Sequence, residues 1–217
     1  LLDRAAGLLD HQVKYRLEGE ERSTVGTRLA LLHLLNDEPQ KALDTLEVTG
    51  YGENDTELAR QRRHLTATAL TELDRPEDAI AILAGDNSPE SKIVKLRTYW
   101  EMSDWINVID TGEDILGNRP NLTAPLNKAE TETLLRLALA YQFERNTTQL
   151  QYLRDYFSPL LPEDSSTKNT FLFITNNQGP IDPQNFQAVS QEIANIETFM
   201  QSYRDRVNEG GLSSAIN

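Results

Sequence analysis

Apolar and small residues recur three and four positions apart over most of the first 160 or so residues, the spacing that places them on one face of an α-helix. The pattern also repeats. LALLHLLNDEPQKALDTL, Leu29 to Leu46, and LTATALTELDRPEDAIAIL, Leu65 to Leu83, share Ala30/Ala67, Asp37/Asp74, Pro39/Pro76, Ala42/Ala79 and Leu46/Leu83, each pair 37 residues apart. Every copy reads as two helices around a tight corner. In the second copy, helix A is expected over about Glu57–Leu73. Asp74 stands where an N-cap belongs and Glu77 three residues on, the spacing of a capping box, with Pro76 in the first turn where its missing N–H costs nothing. Asp37, Pro39 and Gln40 repeat the device. Helix B follows, with inner faces Ala42, Leu43, Leu46 and Ala79, Ile80, Leu83.

The register extends in both directions. Ala5 and Leu9 sit one period before Ala42 and Leu46, so RAAGLLDHQ reads as a helix B without its helix A. Forward, Ser103 marks a corner with Val108 at the Ala position, and a further corner falls near Arg145–Thr147 with Leu150 at that position. Those later offsets are 29 and 42 residues. A fixed period of this size means stacked units, because a single short helix pair cannot bury its own apolar face.

The skeleton resembles the tetratricopeptide repeat over about residues 1–161. It has the small residue of helix A (Ala30, Ala67, Ala138), the Ala opening helix B and the trailing Leu. The mid-helix aromatic appears only as Tyr99 and Tyr141, the early Trp is absent, and Asp or Ser replaces the Gly before the corner. The resemblance implies an all-α fold: a right-handed superhelix of stacked antiparallel helix pairs, ending in a long C-terminal helix. It also implies a concave groove lined by helix A. Carried across residue by residue, that register nominates Gln61, His64, Thr68 and Thr71 in the second copy, Arg97 and Trp100 in the third, and Gln142 in the fourth. An Arg and a Trp three apart share a helix face, and such pairs are favoured at recognition patches. With Arg60 to His64 one helix away, the expectation is a basic spot that receives a peptide or partner helix of acidic character. The competing reading makes Trp100 core and pairs the arginines with local glutamates.

Residues 162–217 read as a C-terminal segment of the same unit. FLFIT, residues 171–175, fits either a strand or a buried helix. PQNFQAVSQEIANIETFMQSYRDRV then carries Phe186, Val189, Ile193, Ile196, Met200 and Tyr203 at alternating spacings of three and four, a coiled-coil-like seam. It is expected to cap the last repeat. The alternative is an assembly module that joins chains through this seam, which makes the expected state a monomer or a weak homodimer.

Composition narrows function mainly by exclusion. The 217 residues are 38% hydrophobic and 25% charged, include no cysteine and carry a formal charge of −13. Disulfides, thiolate metal sites and cysteine nucleophiles are therefore excluded. The charge opposes nucleic-acid binding, no apolar run is long enough for membrane insertion, and neither cytosol nor periplasm is excluded. The abrupt helical start suggests a piece of a longer, bacterial-type protein. His11, His33 and His64 show no metal-ligand spacing, and His33 aligns with positions that pack between helices. Asp110, Glu113 and Asp114 read as a solvated acidic face. Neither a nucleotide cradle nor a nucleophile elbow is present, so no cofactor, metal or catalytic residue is expected, and the chain reads as an interaction scaffold rather than an enzyme.

Overall fold

In the computed structural model, residues 2–50, 56–162 and 166–176 are described. They are all-helical: α1 (Leu2–Tyr15), α2 (Gly19–Leu35), α3 (Pro39–Val48), α4 (Glu57–Glu72), α5 (Pro76–Ile82), α6 (Pro89–Glu101), α7 (Trp105–Gly117), α8 (Lys128–Phe143), α9 (Thr147–Phe157) with a 3-10 turn at Ser158–Leu160, and α10 (Ser166–Asn176). The expected seam from Phe186 to Tyr203, with Val189, Ile193, Ile196 and Met200, lies outside the described residues. FLFIT is helical, within α10, where Phe171 and Ile174 are fully buried one turn apart.

The described chain forms two compact units that divide at Val94 and Lys95, within α6. In the first, α1 packs on α2, α2 on α3 and α4, α3 on α4, and α4 on α5. Its core is three small clusters in succession. Leu29, Leu32 and Leu35 meet Ala6 and Val13, with Ala5 and Leu9 partly buried beside them. Ala30 and Leu34 meet Ala42, Leu46 and Ala69, and Ala67 and Leu70 meet Ala79 and Leu83. Ala30, Ala42, Ala67 and Ala79 have no exposed surface, because a methyl is all that close helix approach leaves room for. Gly26 shows the limit of that approach: a Cβ built there would lie 2.3 Å from Thr49 Oγ1.

In the second unit α7 packs on α8, α8 on α9 and α10, and α9 on α10. One cluster joins Leu96, Val108 and Ala140. A larger one gathers Leu134, Leu137, Ala138, Leu150, Leu153, Phe157, Phe171 and Ile174 among others. Val108 and Leu150, the residues at the Ala position of the two drifted copies, are buried like their counterparts. Side chains of that size contribute about 1.5–3 kcal/mol each when fully withdrawn from water.

The corners correct one expectation. Asp37 and Asp74 do not cap α3 and α5; the N-cap residues are Glu38 and Arg75, and neither makes a side-chain capping bond. Asp37, Asp74, Ser103 and Arg145 instead hold the left-handed conformation, with φ of 56°, 55°, 55° and 55°. Around each, the same two backbone bonds close the preceding helix. Asp37 N–H donates to Leu34 O (3.1 Å) and Glu38 N–H to His33 O (2.9 Å); the next pairs are Asp74 to Thr71 and Arg75 to Leu70, Ser103 to Trp100 and Asp104 to Tyr99, Arg145 to Gln142 and Asn146 to Tyr141. This is the Schellman termination, which satisfies carbonyls that a helix C-terminus otherwise leaves without partners. The following helix starts in one of two ways. Pro39 and Pro76 open α3 and α5, while Asp104 and Asn146 cap α7 and α9 by accepting from Asn107 and Gln149 N–H, both at 3.2 Å.

Candidate functional site

On α4 the nominated face is largely committed to internal bonds. Thr68 and Thr71 donate their hydroxyls to His64 O and Ala67 O, both at 2.9 Å, and Thr71 is buried. Gln61 is exposed and donates to Glu57 Oε1 at 3.2 Å. His64 Nε2 meets Asp86 Oδ2 at 2.9 Å, with both side chains mostly covered. Asp86 also accepts from Ser88 N–H at 2.9 Å. That backbone bond first, and His64 second, hold its carboxyl well below the usual carboxylate range. The His64–Asp86 pair thus fastens α4 to the α5–α6 connection. His33 is likewise mostly buried and bonded, to Glu38 Oε2 at 2.8 Å.

The basic run on α4 separates into different roles. Arg60 pairs with Glu57 on the surface. Arg62 turns inward: Nη1 donates to Ser23 O (3.0 Å) and Thr27 Oγ1 (2.9 Å), Nη2 to Thr49 Oγ1 (3.2 Å) and Leu46 O. All these acceptors are neutral, and burial lowers the pKa of the guanidinium. Its charge is met by carbonyl dipoles, including one in the last turn of α3, where the helix dipole favours a cation. No feature of the sequence marks Arg62 as different from its neighbours, since its partners are backbone oxygens and hydroxyls from α2 and α3.

In the second unit the sequence reading placed Arg97, Trp100 and Gln142 on one surface. Trp100 is part of an aromatic group, edge-on to Trp105 (ring centroids 5.3 Å apart), which in turn lies 4.6 Å from Phe143. Arg97 lies within electrostatic reach of Glu132 and Arg136 on α8, which with Lys128 are spaced four residues apart and hence share one helix face. Glu132 Oε1 is 4.0 Å from Lys128 Nζ, and its Oε2 is 3.9 Å from Arg136 Nη1. Both separations exceed hydrogen-bond distance. Arg136 Nε is buried with no hydrogen-bond partner. Burial raises the pKa of Glu132 against the pull of Arg136, Lys128 and Arg97, and burial lowers that of Arg136, with Arg97 adding to the effect. Gln142 is half-buried on α8, about a third of a turn around the helix from Arg136. Arg97 therefore acts on α8 residues that the repeat register does not nominate, because the drifted offset hides which α8 residues lie near it.

Two other groupings are structural. Tyr141 donates its hydroxyl to Glu113, so the acidic face of α7 is partly engaged rather than wholly solvated. Burial, then this bond, raises the pKa of Tyr141 well above the ordinary tyrosine value. Arg119, its side chain 2% exposed, donates to Glu130 Oε1 (3.0 Å), Leu122 O (3.4 Å), Ala124 O (2.7 Å) and Pro125 O (3.3 Å). The other oxygen of Glu130 accepts from Asn127 N–H at 2.8 Å, completing a capping box at the start of α8.

The first unit also carries a groove of about 670 Å³ between α3 and α5, floored by α4. Leu43, Leu46, Leu70, Ala81 and Ile82 line it, together with Thr66, Arg62, Arg63, Arg75, Glu47, Asp78 and Gly50. It uses positions 62, 63, 66 and 70 of α4, whereas the nominated face uses 61, 64, 68 and 71. Among the described residues, no helix is long and apolar enough to cross a membrane. No protein-family model, curated protein or solved structure matches this chain.

Proposed function

We propose that this chain is a non-enzymatic interaction scaffold. Its tetratricopeptide-like helix pairs, antiparallel and stacked as a right-handed superhelix, present their helix A faces to a peptide or partner helix of acidic character. Support for the repeat comes from four corners of identical backbone geometry and the buried small or aliphatic residue that follows each of them. The observation that carries the binding reading is the α6–α8 face, where Glu132 lies among the charges of Arg136, Lys128 and Arg97 without a close hydrogen bond from Lys128 or Arg136, and Glu101 also acts on Arg136. A partner carboxylate would add a charge-assisted pairing to this group.

A fluorescein-labelled peptide of Glu, Ser and Gly, titrated by anisotropy, tests this. Arg136→Gln and Arg97→Glu should each weaken binding about tenfold or more, with thermal melting as the folding control. Affinity left unchanged by both substitutions removes the α6–α8 face as the recognition surface. Trp100→Ala is a poor probe, because it also removes the aromatic contact with Trp105.

A further inference from the structure

Helix α10 stands to α8 and α9 as α4 stands to α2 and α3: each packs on both members of the helix pair before it. By that placement α10 is the helix A of a fifth pair. On α4 the two flanks are divided between neighbours. Leu65 and Ala69 join the cluster with Ala42 and Leu46 of α3, while Ala67 and Leu70 join the one with Ala79 and Leu83 of α5. Ala69 and Leu70 are adjacent, so one step of about 100° around the helix leads from the preceding pair to the helix's own partner.

The same step on α10 leads to apolar residues without a core. Phe171 and Ile174 are fully buried in the cluster they share with α8 and α9. Beside Phe171, Leu172 is half-buried and Phe173 is 40% exposed. Among the described residues neither joins a core cluster. A stack of helix pairs needs its last apolar flank covered.

The chain itself supplies a cover. Phe186 lies ten residues beyond Asn176, the last residue of α10. Such a connection reaches at most about 35 Å, and packed helices lie about 8–10 Å apart, so it is long enough to reverse direction. Pro183-Gln184 repeats the Pro39-Gln40 and Pro76-Glu77 that open α3 and α5, with Gly179-Pro180 as turn chemistry ahead of it. Phe186, Val189, Ile193 and Ile196 then recur three, four and three apart. As a helical stripe they span about 15 Å, close to the length of the eleven-residue α10.

We propose that the segment from Phe186 to Ile196 docks on α10 of its own chain as helix B of this fifth pair, its apolar stripe on Leu172 and Phe173. A short tether holds the segment at an effective concentration of about millimolar, which favours its own α10 over that of a second copy. This placement rests on the stacked-pair part of the scaffold reading and is independent of what the α6–α8 face binds.

Amide NMR and hydrogen exchange on the full chain test it, with Val189→Asp and Phe173→Asp as the variants and unchanged α2–α5 resonances as the folding control. Val189→Asp should shift the amides of Leu172 and Phe173 and speed exchange in α10 by about tenfold or more. Phe173→Asp should shift amides between residues 186 and 196. Val189→Ala, which removes bulk without adding charge, should move the same α10 amides by less. Wild-type spectra should not change on dilution. The proposal is overturned if the α10 amides ignore both substitutions at Val189, or if residues 186–196 ignore Phe173→Asp. Shifts at Leu172 and Phe173 that depend on dilution also overturn it, because the segment then covers α10 of a second copy.

Discussion

Arg145 holds a left-handed backbone conformation that costs an ordinary L-residue about 1–2 kcal/mol. Asp37 and Asp74 bear the same φ more easily, since a short polar side chain bonds locally to its own backbone. All four corner residues persist there because the Schellman bonds on either side require it. Glycine removes the steric cost but adds freedom to the unfolded chain, worth about 0.5–1 kcal/mol in the opposite direction. Arg145→Gly should therefore raise stability in denaturant titration by up to about 1 kcal/mol, and Asp37→Gly should change it by less. A clear loss of stability in Arg145→Gly would show that its side chain does more than tolerate the turn. The corner conformation was not legible beforehand for a related reason. An Asp two residues ahead of a Pro suits an N-cap and a left-handed C-terminal residue alike, and the residue that decides between them is the one that follows. Where that residue is Asp104 or Asn146 it caps; where it is Glu38 or Arg75, proline makes a cap unnecessary.

Between elements, the same unit that relies on alanine contacts also relies on one arginine. The register of Ala30, Ala42, Ala67 and Ala79 was readable because close helix approach admits only small side chains, so the constraint leaves a periodic trace. Arg62 leaves none, since its acceptors are neutral oxygens 13 to 39 residues away in the chain. The groove it lines was missed for the same reason: it combines three elements, while the repeat register points to the other face of α4. Arg62→Met keeps the length and apolar stem but strips the bonds to Ser23, Thr27, Leu46 and Thr49. It should cost about 2–4 kcal/mol, and Arg62→Lys should recover only part of that, because one ammonium cannot reproduce the fork. A Met variant as stable as wild type would mean that water satisfies those acceptors equally well. Gly26→Ala should cost about 1–3 kcal/mol by forcing the new methyl against Thr49. Thr49→Ala opens that space, so the double variant should be more stable than the sum of the two losses predicts, by about 0.5 kcal/mol or more.

For the molecule as a whole, pH separates the two units, because the described residues of each include a strongly shifted group, the two of opposite type. In the first, the folded pKa of Asp86 is depressed by Ser88 N–H and His64. A depressed carboxylate contributes stability above its unfolded pKa of about 3.9 and loses it as pH falls toward the folded value. In the second, the folded pKa of Tyr141 is raised by burial and by Glu113, with Asp110 adding to it. A raised phenol contributes stability below its unfolded pKa of about 10 and loses it as pH rises toward the folded value. Asp86→Asn keeps an acceptor for Ser88 but discards the charge facing His64, and should cost about 1–3 kcal/mol at neutral pH. That deficit should shrink as pH drops below about 4, because the unfolded wild-type chain then takes up a proton at Asp86 that the folded chain does not. Tyr141→Phe should cost about 1–2 kcal/mol at neutral pH, with a deficit that is flat through the acid range and shrinks only above about pH 10. Differences between variant and wild type, measured by denaturant titration across pH, cancel the titration of the remaining charged groups and leave these two arms. If the Asp86→Asn deficit is the same at pH 3 as at pH 7, the fold does not depress the carboxyl, and neither the Ser88 bond nor the His64 contact favours its charged form. If the Tyr141→Phe deficit is unchanged above pH 10, the fold does not raise the phenol's pKa, and neither burial nor the Glu113 bond favours its protonated form.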